Sequence, residues 1–207
     1  MTKPDRIPLF PLEVVLLPST PLPLHIFEPR YKIMIRRCIE EHVEFGMVLA
    51  SDRNLASTGC TAEVTRTIRE YPDGRMDVLA EGRSVFRLTK LLQEREYHEG
   101  QVEYLTDTVE PCDAEQEAQL IAIFGQCHVL LFGHWWSEAE GRAGETIAYR
   151  MAARLPMDLL EKQALLEMRA EPARRAFLYA WLGKLLPVLL GKQRARQRAG
   201  GNGYRLN

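Results

Sequence analysis

The sequence carries almost no net charge: across 207 residues, 27 basic side chains face 28 acidic ones. Such a balance creates no long-range field that would demand a nucleic acid or an anionic membrane as partner. Long hydrophobic runs are missing as well. Apolar runs such as residues 129–132 and 185–190 fall far below the roughly 20 apolar residues that a membrane-spanning helix needs. Cysteine is sparse: Cys38, Cys60, Cys112 and Cys127 stand far apart without a Cys-x-x-Cys pair, which argues against a zinc knot or a disulfide framework. Residues 1–6 are polar and run directly into Ile7-Pro8-Leu9-Phe10, without the apolar stretch of a secretory signal. Together these absences predict a soluble protein of the reducing cytoplasm.

The common catalytic patterns are absent too. Gly183-Lys184 and Gly191-Lys192 both lack the earlier glycine of a phosphate-cradling loop, so ATP hydrolysis is not expected. Ser51, Ser57 and Thr58 lie near Asp52 with no accompanying histidine, which leaves nucleophilic catalysis without local support. His128 and His134 are six residues apart, a spacing that does not put two imidazoles on one helix face, and no metal site is expected there. No cofactor is implied.

What is present is enough apolar material, 46% of the chain, for one large core or two small ones. The first half reads as short strands over residues 6–10, 14–17, 22–26, 45–51, 60–70, 76–80, 85–91 and 100–104. Alternation is clearest in Thr61-Ala62-Glu63-Val64-Thr65-Arg66-Thr67-Ile68. Tyr71-Pro72-Asp73-Gly74-Arg75 supplies the fixed and positive φ angles of a tight turn, hence a hairpin. One helix interrupts the strands at residues 29–42. Pro29 suits its first position, and Tyr31, Met34, Ile35, Cys38 and Ile39 form an apolar stripe that would plug a barrel end. With no alternating helices to carry crossovers, the strands favour a barrel or sandwich.

The composition changes near Pro111-Cys112-Asp113, giving predicted domains of 1–111 and 112–198 with a flexible tail at 199–207. Helices are predicted from Asp113, with Leu120, Phe124, Cys127 and Leu131 on one side, then over 145–154, 158–168 and from Pro172 onward, with a break at 141–144 and a kink at Pro187. The fold class read from this pattern is α+β, a β-barrel with one inserted helix followed by an α-helical bundle.

The run Ile7-Pro8-Leu9-Phe10-Pro11-Leu12-Glu13-Val14-Val15-Leu16-Leu17-Pro18, continuing into Leu22-Pro23-Leu24-His25-Ile26-Phe27-Glu28-Pro29-Arg30-Tyr31, resembles the start of the Lon protease N-terminal, substrate-binding domain family. Phe45-Gly46-Met47-Val48-Leu49, residues 82–87 and Leu155-Pro156-Met157-Asp158 resemble the same family, and the likeness extends over most of residues 6–186. The resemblance implies a barrel of the PUA-like type with a helical appendage, and a role in engaging unfolded or damaged protein or hydrophobic peptide segments. It also implies a stand-alone relative and not an enzyme, because nothing here matches the ATPase module or the Ser-Lys peptidase of Lon. A separate protease or chaperone is then a further expected partner.

Eight residues are candidates for peptide binding: His25, Phe27, Arg30, Tyr31, Arg83, Phe86, Trp135 and Trp136. Structural readings stand beside each. Glu28 and Arg30 can serve a helix N-terminus, strand alternation alone separates Arg83 and Arg87 from Phe86, and the tryptophans can pack against the bundle. RNA is the alternative ligand, because PUA-like barrels in other families bind it and Lys192, Arg194, Arg196 and Arg198 form a basic run, although no aromatics interleave with that run.

Overall fold

The computed structural model describes residues 3–51, 54–111, 113–136 and 147–201, with side chains described through 198. The architecture is α+β. Strands β1 (Arg6–Leu12) and β2 (Pro21–Ile26) precede helix α1 (Pro29–Glu41). Strands β3 (Phe45–Ala50), β4 (Leu55–Glu70), β5 (Met76–Leu92) and β6 (Glu99–Tyr104) follow, then helices α2 (Ala114–Phe132), α3 (Ile147–Ala153), α4 (Leu159–Glu167) and α5 (Glu171–Gly201).

The strands run in the order β2-β5-β4-β3-β1-β6, and β6 pairs back onto β5. That last pairing closes β5, β4, β3, β1 and β6 into a ring, a small barrel with β2 attached outside it. β1 and β3 are parallel, and all other pairs are antiparallel. Closure needs strong curvature, and the register shifts in β4 and β5 supply it by inserting extra residues that bend the strands. Ile7, Leu9, Val48, Phe86 and Val102 fill the interior. The Phe86 ring lies where Cβ atoms on Gly46 or Gly59 would sit, 2.8 and 2.6 Å away, so those two positions must lack side chains.

Two expected features differ. Residues 14–17 form no strand, although Val15, Leu16 and Leu17 are buried. Their apolar character reflects packing over β5, where Gly82 allows the Leu17 carbonyl to approach the backbone. Ser19 N–H donates to the Gly82 carbonyl (2.8 Å) and Gly82 N–H to the Thr20 carbonyl (3.0 Å). For the same reason residues 76–80 and 85–91 are not separate strands: Gly82 looks like a turn residue but sits inside one continuous β5.

The sheet margins are guarded. A proline cannot donate to a ladder, so Pro21 and Pro23 occupy positions of β2 that face away from β5, and they strip donors from that free margin. Beyond Ala62, β4 no longer pairs with β3. There α1 lies against it, with the Arg36 guanidinium donating to Glu70 at 2.9 Å.

By contact the chain divides into two compact units, Met1–Asp107 with Ala152–Arg169, and Thr108–Met151 with Ala170–Asn207. The C-terminal helices are therefore shared between units: α4 goes with the strands, while α2, most of α3 and α5 form the helical unit. A capping box starts α4, with Glu161 N–H donating to Asp158 Oδ1 (2.8 Å) and Asp158 N–H to the Glu161 carboxylate (2.9 Å). Buried Gln163 then ties α4 to β4 by donating to the Thr58 carbonyl at 3.0 Å. Asp113 caps α2, accepting from Glu115 N–H at 2.9 Å. α5 continues through Pro187 to Gly201. The expected break at 141–144, Cys112, Asp52, residues 145–146 and the tail from 202 lie outside the described residues. Among the described residues, no helix is long and apolar enough to cross a membrane.

Candidate functional site

The register of β2 on β5 pairs His25 with Asp77, and β4 on β5 pairs Arg69 with the same residue. Directly opposed residues share a sheet face, so a polar and aromatic cluster assembles across three strands. His25 Nδ1 lies 2.6 Å from Asp77 Oδ1, and the Tyr71 hydroxyl donates to Asp77 Oδ2 at 2.8 Å. The His25 and Tyr71 bonds hold the Asp77 carboxyl below its ordinary range, and Asp77 in turn raises the Tyr71 hydroxyl. Phe27 stacks on His25 (centroids 6.0 Å, 23°) and Tyr71 meets it edge-on (6.1 Å, 82°). The Arg69 and Arg75 guanidinium groups stand 4.7 and 5.0 Å from the Tyr71 ring. Phe27, past the end of β2, remains 58% exposed.

The turn that carries Tyr71 also forms a wall of a cavity of about 430 Å³, lined by Lys32, Ile33, Arg36, Arg37 and Glu40 of α1 with Asp73 and Gly74. Gly74 has φ +77°, a left-handed conformation that favours glycine. The turn there lies within ordinary contact distance of the Lys32 stem and the Arg36 guanidinium. Lys32 Nζ donates to the Asp73 carbonyl at 2.9 Å. Ile33 is 48% exposed on this surface.

A model of the ATP-dependent protease La (LON) substrate-binding domain matches residues 6–182. The chain belongs to this family. Among its relatives, the Lon protease of Parabacteroides distasonis is 30% identical over 129 residues, covering 58% of this chain and 16% of that protein. The Lon protease of Escherichia coli K12 is 27% identical over 218 aligned positions, covering 93% of this chain and 26% of the relative. The chain thus spans about a quarter or less of these Lon proteases. Of solved structures, the Lon N-terminal domain protein from Xanthomonas campestris superposes with a TM-score of 0.66 at 24% identity, covering 85% of this chain and 98% of that one. The N-terminal domain of the Mycobacterium avium complex Lon protease gives 0.63 at 13%, covering 86% and 98%. At these identities the structures establish the Lon N-terminal fold.

Within that fold the eight sequence candidates separate. His25 and Phe27 come together in the cluster described above. Arg30 bonds Glu28 (Nε to Oε2, 2.9 Å) and lies 4.5 Å from the Tyr31 ring, while Tyr31 itself is buried against Phe10, ring centroids 4.1 Å apart. Arg83 bridges Glu63 and Glu81 (2.9 and 2.7 Å), and Phe86 belongs to the barrel core. In the helical unit Trp136 is buried edge-on to Phe124 (5.2 Å, 83°). Trp135 is 58% exposed, one side of its ring pressed on Gly125. Tyr31, Phe86 and Trp136 therefore pack the interior and present no surface to a ligand. Sequence reading did not single out Tyr71 and Asp77, which join His25 through strand register, or Lys32, Ile33 and Arg36 of α1, which line the cavity.

Proposed function

We propose that this chain is a non-catalytic recognition module that binds unfolded protein segments through the surface made by Phe27, the outer face of α1 and the turn at residues 71–75. The observation that carries the reading is the exposed Ile33 in the lining of a cavity of about 430 Å³, within the usual range for ligand pockets, with the exposed Phe27 joined through His25 to Tyr71 of the turn that walls it. Family membership supports it, since the family is one of substrate-binding domains. Side chains do the recognising in this proposal: Pro21 and Pro23 remove two donors from the β2 margin and α1 lies against the β4 margin, so strand addition has no ready edge. A folded protein hides the apolar side chains that Phe27 and Ile33 would meet, and an unfolded one offers them. The chain acts in the cytoplasm, and hands its bound segment to a separate protease or chaperone.

The test compares affinity for a permanently unfolded protein and for its native form. Tighter binding of the unfolded form is expected, with Phe27→Ala weakening it about ten-fold, as loss of one buried aromatic implies. The purified chain is expected to cleave no protein and consume no ATP. Equal binding of both forms, or no effect of Phe27→Ala in a variant of unchanged stability, would remove the proposal.

A further inference from the structure

We infer that the cavity between α1 and the β4–β5 turn selects acidic segments: it takes a carboxylate side chain next to an apolar one, with the carboxylate on Lys32 and the apolar group on Ile33. The inference rests on the recognition role proposed above and names the chemistry of its ligand.

The argument starts from charge balance around Gly74. Lys32, Arg36 and Arg75 bring three cations to this turn, and Glu70 and Asp73 bring two carboxylates. Asp73 is committed to Arg75, accepting from its Nε at 2.7 Å and from its backbone N–H at 3.2 Å, and these bonds keep the carboxyl below its ordinary range. Glu70 is committed to Arg36 at 2.9 Å. Lys32 is left over. Its ammonium donates to a neutral carbonyl and makes no ion pair among the described residues; the Asp73 carboxylate, already bonded to Arg75, offsets its charge only through space, and two of its three donors remain for a ligand. Glu40, the remaining acid of the lining, stands two helical turns further along α1, about 12 Å at 1.5 Å per residue, and does not neutralise the Lys32 end.

Lys32 and Ile33 are adjacent on α1 and both line the cavity. A segment that places an acidic and an apolar side chain side by side matches that pair. The Arg36–Glu70 bond, half exposed at both ends, is exchangeable and lets Arg36 offer a second contact to the incoming carboxylate.

Fluorescence anisotropy tests this with three labelled peptides on the intact chain: one carrying repeated Leu-Glu pairs, one with Gln for every Glu, and one with Lys. The Glu peptide is expected to bind about five-fold tighter than the Gln peptide at low salt, with the preference shrinking as salt is added. Lys32→Gln should diminish the preference to about two-fold or less, and Lys32→Glu should transfer it to the Lys peptide. Lys32 is half-buried at the protein surface and its hydrogen bond goes to one turn carbonyl, so folding is expected to be intact, and circular dichroism verifies it. Equal binding of Glu and Gln peptides, an undiminished preference in Lys32→Gln, or tighter binding of a single-stranded RNA than of the Glu peptide overturns the inference. If unfolded protein still binds while the peptides are not distinguished, the charge selection fails alone. If neither unfolded protein nor any peptide binds, the recognition role beneath it fails as well.

Discussion

Arg174 and Tyr149 meet inside the helical unit: the Arg174 side chain is 0% exposed, its Nη1 donates to the Tyr149 hydroxyl at 3.2 Å, and its guanidinium carbon stands 4.4 Å from the Tyr149 ring centroid. Glu171 neutralises the same guanidinium, accepting from Arg174 Nε at 2.9 Å. Glu171 also accepts from Ala148 N–H and Arg175 Nε, both at 3.1 Å, and Arg175 reaches Glu117 at 2.7 Å. One carboxylate thereby links the starts of α3 and α5, and Arg175 extends the network to α2.

Breaking that network should be costly, because removing the fully buried Arg174 takes one of three donors from Glu171, takes a donor from the Tyr149 hydroxyl and leaves a cavity. Arg174→Ala is expected to destabilise the protein by about 3–5 kcal/mol, and Tyr149→Phe by about 1 kcal/mol. Urea unfolding of the two variants checks this. A loss below about 1 kcal/mol for Arg174→Ala would mean that the interior tolerates the remaining carboxylate.

Gly82 bears a different kind of constraint. A Cβ there would strike the Leu17 carbonyl, and backbone cannot swing aside as a side chain can. Gly82→Ala should cost about 1–3 kcal/mol, against the usual expectation that replacing glycine inside a strand is harmless or helpful. Thermal unfolding reads the sign directly, and an unchanged or raised midpoint would contradict the close approach.

The buried thiols give a pH test. Burial pushes Cys38 and Cys60 up from 9.0 to about 12, and raises Cys127 in the same direction. A raised acid favours the folded, neutral form below the unfolded value. This contribution is therefore full below about pH 9 and lost as pH rises toward 12. Native protein should leave these three cysteines unmodified by iodoacetamide at pH 8.5, and unfolding in urea should expose them. Mass spectrometry of the labelled peptides decides the matter, and rapid native labelling of Cys60 would contradict its burial.

Much of the local structure was legible before any tertiary contact was known. Pro29 and the stripe of Tyr31, Met34, Ile35 and Cys38 specify α1, and the helix expected over 158–168 meets α4, because these signals act within a few residues. The ring closure was not, since pairing β5 with β6 and β1 with β3 depends on strands distant in sequence. Apolar composition at 14–17 could not distinguish burial against Gly82 from burial within a ladder. The candidate site was half visible for the same reason. His25 and Phe27 lie in one local segment, whereas Asp77 and Tyr71 join them through register. Burial of Tyr31, Phe86 and Trp136 follows from packing, which their residue types alone do not fix.

The most direct measurement of the proposed recognition surface is amide hydrogen exchange of the chain with and without a bound unfolded protein. Protection is expected to concentrate in the amides around Phe27, along α1 from Lys32 to Glu40, and in the turn at residues 71–75. Saturating ligand that leaves those amides unchanged while protecting α5 or the segment around Trp135 instead would contradict the account.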